Sequence, residues 1–137
     1  MLRAIPLFIV PLAIYNLLMI GGDIHATLAG QLFSVHLMSG AQWNFSTHDA
    51  LITLGVVVLY VEIFKSTRTG MASVLDHTFS MIVFVVFLVE FLIVAGCGTS
   101  TFFLLGLMSM IDVISGFTVS IVAARRDFAV GSGDTHF

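Results

Sequence analysis

Four long apolar runs constrain this chain more than any other feature. They cover residues 4–20, 50–64, 74–95 and 101–124. A bilayer core about 30 Å thick needs roughly 20 residues of helix, and the second run reaches that length if its helix covers 47–65. Only 9% of the residues are charged, whereas soluble domains carry roughly 25%. The runs therefore predict an all-α membrane protein: a single membrane domain over residues 1–124, folded as a bundle of four transmembrane helices.

The basic residues predict how the spans are threaded. The connections 21–49 and 96–101 contain no lysine or arginine. If both termini are cytoplasmic, all the basic residues of the chain lie on the cytoplasmic side, as the positive-inside rule requires. They are Arg3, Lys65, Arg68, Arg125 and Arg126. We therefore expect a multi-pass protein with both ends in the cytoplasm and a mobile, glycine-bearing cytoplasmic tail over 125–137.

The first apolar run has an alternative interpretation as a signal peptide. Arg3 precedes it, and residues 27–29 offer a small-residue cleavage site. The run is longer than the usual apolar core of a signal peptide, and it contains two prolines. We therefore expect an uncleaved first span, while cleavage would leave three spans in the same orientation.

Polar residues before the later spans predict where their helices begin. Ser46 with Asp49, and Ser73 with Asp76, both fit the capping-box spacing, in which two side chains satisfy the free amides of a first turn. Residues 99–100 offer hydroxyl caps for the fourth span.

The segment QLFSVHLMSGAQWNFSTHD, between the first two spans, alternates apolar and polar residues. Pairing Leu37 with Trp43 and Val35 with Phe45 places these four side chains on one face, with a loop around 39–41. This pattern predicts an extracytoplasmic β-hairpin over about 32–46, and the alternative is an interfacial helix over 27–38. The apolar face either caps the bundle or binds a partner subunit. Its residues are Phe33, Val35, Leu37, Trp43 and Phe45.

Three carboxylates fall inside the predicted spans: Glu62, Glu90 and Asp112. A charge in lipid is costly, so each should face the bundle interior and find a partner. Counting along the helices at about 1.5 Å per residue predicts which side chains share a level. The predicted levels are Glu62 with His77, Glu90 with His48 or Asp49, and Asn16 with Asp112. Two interpretations stay open: polar pairs that fix helix register, or a proton path along the three carboxylates in which Asp112 is the deepest group.

Small residues recur along one side of the fourth span at helical spacing. The seam consists of Gly106, Ser109, Gly116 and Ser120. Small side chains let two helices approach closely in a membrane. The seam packs the fourth span either into its own bundle or against a second copy of the chain.

Several classes of site have no support in the sequence. A single cysteine, Cys97, excludes an internal disulfide, and no Cys/His spacing resembles a zinc site. No basic cluster points to nucleic acid. His48 and His77 fall at opposite membrane faces, so they cannot ligate one haem. We expect no catalytic residues, no metal and no cofactor.

Four segments carry a resemblance: SGAQWNF, KSTRTG, GTSTFFLL and GFTVSIVAARRDFAVG. In these the chain resembles small four-span inner-membrane proteins of alphaproteobacteria, over roughly residues 30–131. The resemblance implies a bacterial inner membrane and no activity, so no functional residue is carried over. Small multidrug transporters have a similar size but depend on a glutamate in their first span, where this chain has only Tyr15 and Asn16.

Two functions follow as hypotheses. The first is a non-enzymatic accessory or scaffold subunit that binds the bilayer and either another membrane subunit or further copies of itself. It rests on the lack of a catalytic motif, on the outer hairpin and on the small-residue seam. The second is a small oligomeric proton- or ion-coupled transporter or channel, and it rests on the three intramembrane carboxylates.

Overall fold

The structure is a computed structural model that describes residues 5–67 and 71–131. Arg3, Arg68 and the last part of the predicted tail, 132–137, lie outside the described residues. The helices are α1 (Ile9–Ile20), α2 (Ile24–Ala29), α3 (Thr47–Ser66), α4 (Met71–Ile93) and α5 (Ser100–Gly131), with a short 3₁₀ helix at Ala95–Cys97. The strands are β1 (Gln31–His36) and β2 (Gln42–Ser46).

Three of these helices are long and apolar enough to cross a membrane. They are Thr47–Ser66, Val74–Ile93 and Ser100–Arg126. α1 is a shorter apolar helix, Ile9–Ile20. The prediction of a mostly helical protein with apolar helices suited to a membrane and a two-stranded hairpin is confirmed. α5 continues to Gly131, past residue 124 where the sequence pattern ended the fourth span, so the first part of the predicted tail is helical.

α5 forms the centre of the bundle. It packs along both α3 and α4, which contact each other much less. Gly55 of α3 allows one of these approaches, because a Cβ there would come within 2.7 Å of Leu105 Cδ2 and 2.8 Å of Met108 Sδ. Gly106 and Gly116 of α5 lie against Phe87 and His77 of α4. The small-residue seam therefore packs within the chain at both of its glycines.

The two ends of the bundle differ in composition. We call the end that carries Lys65 and the α3–α4 connection the basic end, and the end that carries β1, β2 and the 3₁₀ helix the hairpin end. α1 and the turn before it reach both ends. Lys65 Nζ donates to Ile5 O at 3.0 Å at the basic end, and Tyr15 Oη donates to Gly96 O at 2.9 Å at the hairpin end.

The predicted capping signals are confirmed at two helices and wrong at the third. Ser46 and Asp49 form a capping box at the start of α3, and Thr99 Oγ1 accepts from the amide of Phe102 at 3.2 Å at the start of α5. α4 begins at Met71, before Ser73. Asp76 instead pairs with Lys65, because a carboxylate that is only 5% exposed needs a compensating cation.

The hairpin is present, and its register differs from the predicted one. Val35 pairs with Trp43 and Phe33 with Phe45, so β1 is shifted by two residues relative to the predicted pairs. A shift of two keeps the same side chains on the same face. The reason is the turn: Gly40 N donates to Leu37 O at 2.9 Å, and Gly40 has φ +85°, the left-handed residue of a three-residue hairpin loop. Leu37 follows the last residue of β1, and its amide closes the loop by donating to Ala41 O at 2.9 Å, so Leu37 does not pair with Trp43.

A short helix that no sequence pattern predicted precedes the hairpin. Asp23 caps α2 by accepting from the amide of His25 at 2.9 Å. The amide of Thr47 donates to Gly30 O at 3.0 Å, which ties the end of α2 to the start of α3. The interfacial helix proposed over 27–38 as an alternative is not formed, because 31–36 is a strand.

Candidate functional site

A cluster of charged side chains lies buried at the basic end. The ammonium of Lys65 is 3.0 Å from Glu62 Oε2 and 3.1 Å from Asp76 Oδ1. Glu62 is 1% exposed and Asp76 5% exposed. We call Glu62, Lys65, Asp76 and Asp112 the acidic cluster. Lys65 thus ties the start of α4 to the end of α3 and compensates two carboxylates at once.

Glu62 also holds the N-terminal turn in place. Its Oε1 accepts from the backbone amide of Leu7. Leu7 precedes α1, so that amide has no carbonyl of its own helix to bond. Lys65 donates to Ile5 O two residues earlier. This pair of residues on α3 therefore anchors both an orphan N–H and a free carbonyl of the chain before α1.

Asp112 belongs to the same neighbourhood and is less well satisfied. It is 3% exposed, and the hydroxyl of Ser80 on α4 hydrogen-bonds to its carboxyl. Glu62, Asp76 and Lys65 are all close enough to act on its charge. Asp112 Oδ2 and Ser109 Oγ have no hydrogen-bond partner among the described residues. Such orphaned atoms are rare in folded proteins and need an explanation.

His77 and Gly116 fix the level of Asp112. A Cβ on Gly116 would overlap the imidazole of His77, so only glycine lets this ring lie against α5. His77 is 8% exposed and follows Asp76 directly. Asp112 is one helical turn from Gly116. Asp112 therefore lies one turn closer to the middle of the bundle than the contact of Gly116 with His77.

Each polar contact at the hairpin end involves at most one charged side chain, and the atoms that take part in these contacts have partners. Asn16 Nδ2 donates to Glu90 Oε2 at 2.9 Å. His48 Nδ1 lies 2.6 Å from Thr101 Oγ1. Tyr15 is fully buried, with its hydroxyl 2.6 Å from Thr99 Oγ1. These contacts fasten α1 to α4 and to the turn before α5, and they fasten α3 to the start of α5.

One of the three predicted levels is wrong. Glu62 lies at the level of His77, as predicted, since Lys65 joins it to the adjacent Asp76. Glu90 and His48 both lie at the hairpin end, as predicted, although His48 bonds to Thr101 and not to Glu90. Asn16 is at the wrong level, because it bonds to Glu90 and not to Asp112. The count assumed a uniform helical rise from residue 4, and residues 5–8 do not follow it because the helix begins only at Ile9. Glu90 is therefore paired at the far end from the acidic cluster.

The hairpin presents an ordered aromatic face. Phe33 and Phe45 stack at 4.7 Å between ring centroids, and Trp43 packs edge-on against Phe45 at 5.5 Å. Phe33 and Trp43 are each 48% exposed, and Val35 is 42% exposed. Leu37 in the loop is 46% exposed. We call Phe33, Val35, Leu37, Trp43 and Phe45 the aromatic face.

Sequence patterns missed several members of the site. In the sequence, Lys65 indicates only the orientation of the chain in the membrane, and Asp76 indicates only a helix cap with Ser73. Ser80 was overlooked, although it lies one turn from His77 and Asp76 on the same side of α4. That spacing is the signal that would have found it. Ser109 and Ser120 were predicted only as small residues; Ser120 Oγ donates to Gly116 O at 3.0 Å, whereas Ser109 Oγ is orphaned.

An apolar groove of 360 Å³ lies between α4 and α5 around Gly106. Phe84, Phe91 and Phe103 contribute to its walls. Acyl chains of a bilayer fill a groove of this chemistry without any specific recognition. Within residues 5–67 and 71–131, no three His, Cys, Asp or Glu side chains converge in a way that could hold a metal ion.

Comparison of the chain with protein-family models, with curated proteins and with solved structures gives no match. The resemblance to four-span inner-membrane proteins therefore stays a prediction, and function is argued from the geometry of the chain alone.

Proposed function

We propose that the chain is a non-enzymatic accessory or scaffold subunit of a bacterial inner-membrane complex, and that it binds its partner subunit through the aromatic face of the hairpin. In this proposal α1 is a fourth span, both termini are cytoplasmic and the hairpin is extracytoplasmic. The exposure of the aromatic face is the observation that carries the proposal. Exposed apolar side chains that are contiguous and ordered typically mark a site of association.

The exposure of these side chains favours a bound partner over packing of the hairpin against the ends of its own helices. A cap over the bundle would bury the aromatic face against the ends of the helices. Phe33, Val35 and Trp43 instead keep nearly half of their surface exposed, and they pack chiefly on one another. A two-stranded hairpin is marginal in water by itself, so a partner that covered this face would stabilise it.

The connection to α3 supports a rigid presentation of this face. β2 ends at Ser46, and α3 begins at Thr47 with no intervening loop. The capping box of Ser46 and Asp49 holds the junction, with Ser46 Oγ 2.7 Å from Asp49 Oδ2. A rigid surface loses little conformational entropy on binding, which favours affinity.

Trp43→Ser tests this function, with Asn44→Ser as the matched control. Both residues lie on β2, but Asn44 pairs with Ser34 on the opposite face of the hairpin. Each tagged variant would be extracted mildly from its own membrane, and the proteins that co-purify at stoichiometric levels would be quantified. We expect a partner that is retained by the wild type and by Asn44→Ser and lost by Trp43→Ser. Retention of every wild-type partner by Trp43→Ser contradicts the proposal.

A second candidate, a small oligomeric proton- or ion-coupled transporter or channel, is favoured by the acidic cluster. Two of its carboxylates, Glu62 and Asp76, pair with Lys65, and the third, Asp112, lies near enough for their charges to act on it. A path along all three predicted carboxylates is less favoured, because Glu90 is paired with Asn16 at the hairpin end. Flux measured in liposomes tests this candidate: Asp112→Asn should abolish proton-coupled transport, and unchanged flux removes Asp112 from any such mechanism.

A further inference from the structure

Asp112 and Ser109 each bury an oxygen atom for which the chain supplies no partner. Both residues lie on α5, three positions apart and on one side of the helix. Ser109 is 1% exposed and Asp112 3% exposed. Asp112 Oδ2 and Ser109 Oγ bond neither to each other nor to any other described group. A ligand from outside the chain must therefore satisfy both atoms, or the fold carries a large desolvation cost.

The charges around this pair favour a ligand with a positive charge. Glu62, Asp76 and Asp112 bring three carboxyl groups into one buried neighbourhood, and Lys65 supplies one ammonium. His77, which packs beside Gly116 one turn from Asp112, is the remaining titratable group on the facing side of α4. Among the charges of the described residues in this neighbourhood, even an imidazolium at His77 would leave one negative charge uncompensated. Unpaired charge in a low-dielectric interior is the most costly form of burial.

We propose that Asp112 and Ser109 form a buried site that takes one monovalent cation, either a proton or a sodium ion. The shared chemistry is a single positive charge that neutralises the carboxyl of Asp112 and engages its Oδ2. Ser109 Oγ supplies a second oxygen, and Ser80 hydrogen-bonds to the same carboxyl from α4. Oxygen atoms of this kind suit a hard cation, and an acidic proton needs only the carboxyl itself. The inference does not depend on the partner-binding function of the hairpin.

The charged neighbours of the site, Glu62, Lys65 and Asp76, belong to the basic end, so in this proposal the cation arrives from that side. Asp112 is one turn from the level of His77, and Lys65 at the end of α3 is 22% exposed at its side chain. The contacts of Glu90 and His48 lie at the other end and are made with Asn16 and Thr101. Occupation of the site therefore requires no continuous path across the bundle.

Infrared spectroscopy tests for the proton. Spectra of the full chain in lipid nanodiscs, in sodium-free neutral buffer, would be compared between wild type and Asp112→Asn. A band of a protonated carboxylic acid that is present in the wild type and lost in Asp112→Asn identifies a proton as the ligand. Glu90→Gln is the matched control, since it changes another intramembrane carboxyl whose Oε2 already has a partner in Asn16. It should retain the band that Asp112→Asn loses.

Thermal unfolding tests for sodium. Sodium chloride is compared with choline chloride at equal ionic strength, because a ligand that binds the folded state raises Tm. A sodium-specific rise that is present in the wild type, lost in Asp112→Asn and reduced in Ser109→Ala identifies sodium as the ligand. If Asp112→Asn fails to fold, Ser109→Ala, which keeps the carboxyl, gives the second test: it should shift the frequency of the acid band, because the surroundings of the carboxyl change, or it should reduce the sodium-specific rise. The absence of both an Asp112-dependent acid band and a sodium-specific rise overturns the proposal.

Discussion

The acidic cluster at the basic end buries charged side chains, whereas the hairpin at the other end exposes apolar ones. The acidic cluster buries charge among apolar helices, with Glu62 and Asp112 almost wholly enclosed. The hairpin exposes aromatic rings, with Phe33 and Trp43 about half accessible. Each arrangement costs free energy for the isolated chain. The two proposals made above answer these two costs: a small cation inside the bundle, and a partner protein on the hairpin.

The two regions also differ in how tightly the chain holds them. Lys65, Glu62 and Asp76 connect α3, α4 and the turn before α1 through several short contacts. The hairpin is held by its own ladder, its turn and its junction with α3. Changes in the acidic cluster should therefore reduce stability, whereas changes on the aromatic face should reduce binding. The predictions below follow that division.

Lys65→Ala should have the largest effect. It leaves Glu62 and Asp76 buried without their cation, and breaking such a pair typically costs about 3–5 kcal/mol. We expect this loss in the free energy of unfolding, measured by denaturant titration in detergent. Arg126→Ala removes a basic residue that is exposed on α5, and it should change the free energy by about 0.5 kcal/mol or less. Equal stability of the two variants would mean that the acidic cluster does not hold the bundle.

Gly116→Ala should have the next largest effect. The new Cβ would overlap the imidazole of His77, and overpacking of this kind costs about 1–3 kcal/mol. Gly106→Ala is its control on the same seam, because its Cβ would lie 3.5 Å from Phe87 Cβ, an ordinary contact. A helix gains up to about 1 kcal/mol from Gly to Ala, so Gly106→Ala should be neutral or stabilising. The difference in Tm between the variants checks this, and a stabilised Gly116→Ala would contradict it.

The fluorescence of Trp43 should report whether the aromatic face is covered. It is the single tryptophan of the chain, so its emission comes from the hairpin alone. In the isolated protein in nanodiscs we expect quenching by aqueous acrylamide and little quenching by brominated lipids. Protection from acrylamide should appear in the partner complex. Strong quenching by brominated lipids would instead place the aromatic face on the membrane surface.

The aromatic face should contribute little to stability. Cross-strand aromatic pairs contribute about 1 kcal/mol or less, so Trp43→Ser should lower the free energy of unfolding by no more than that amount. The same denaturant titration used for Lys65→Ala measures it. A loss as large as that of Lys65→Ala would make the face part of the folding core.

Cys97 should show the smallest response, because it should not react while the chain is folded. It is fully buried in the 3₁₀ helix, and this burial, with the charge of Glu90 nearby, raises the pKa of its thiol to about 11. The thiolate is the reactive form, so it is scarce at neutral pH and increases only as the pH approaches that pKa. We expect no maleimide labelling at neutral pH before unfolding and full labelling after it. Rapid labelling of the folded protein would show that the hairpin end opens.

Much of the fold followed from patterns within single segments. Long apolar runs predicted α3, α4 and α5, and the alternation of Val35, Leu37, Trp43 and Phe45 predicted a hairpin with these residues on one face. These patterns depend on local periodicity, which the sequence displays directly. The register was wrong because the left-handed Gly40 determines where the turn closes. That choice depends on turn geometry, which the alternation does not specify.

The site was harder to predict because it depends on contacts between distant segments. Counting along helices placed Glu62 at the level of His77 and Glu90 at the level of His48, but it put Asn16 at the wrong level. The count assumed a uniform helical rise from residue 4, whereas residues 5–8 form a turn before Ile9. The same count brought Lys65 close to Asp76 along the bundle, but it did not show that these two side chains face each other. Helix periodicity alone therefore identifies the polar residues but not their pairs.

Native mass spectrometry of the tagged wild-type chain, released gently from its own membrane, tests the proposed function of the molecule. Phe33→Ser/Trp43→Ser would be measured beside it, with Asn44→Ser as the control for an intact hairpin. We predict a wild-type assembly that contains a different membrane subunit in fixed ratio, that persists in Asn44→Ser and that is absent in the double variant. A wild-type spectrum that contains only copies of this chain would contradict the accessory-subunit account and would favour a transport function that involves Asp112.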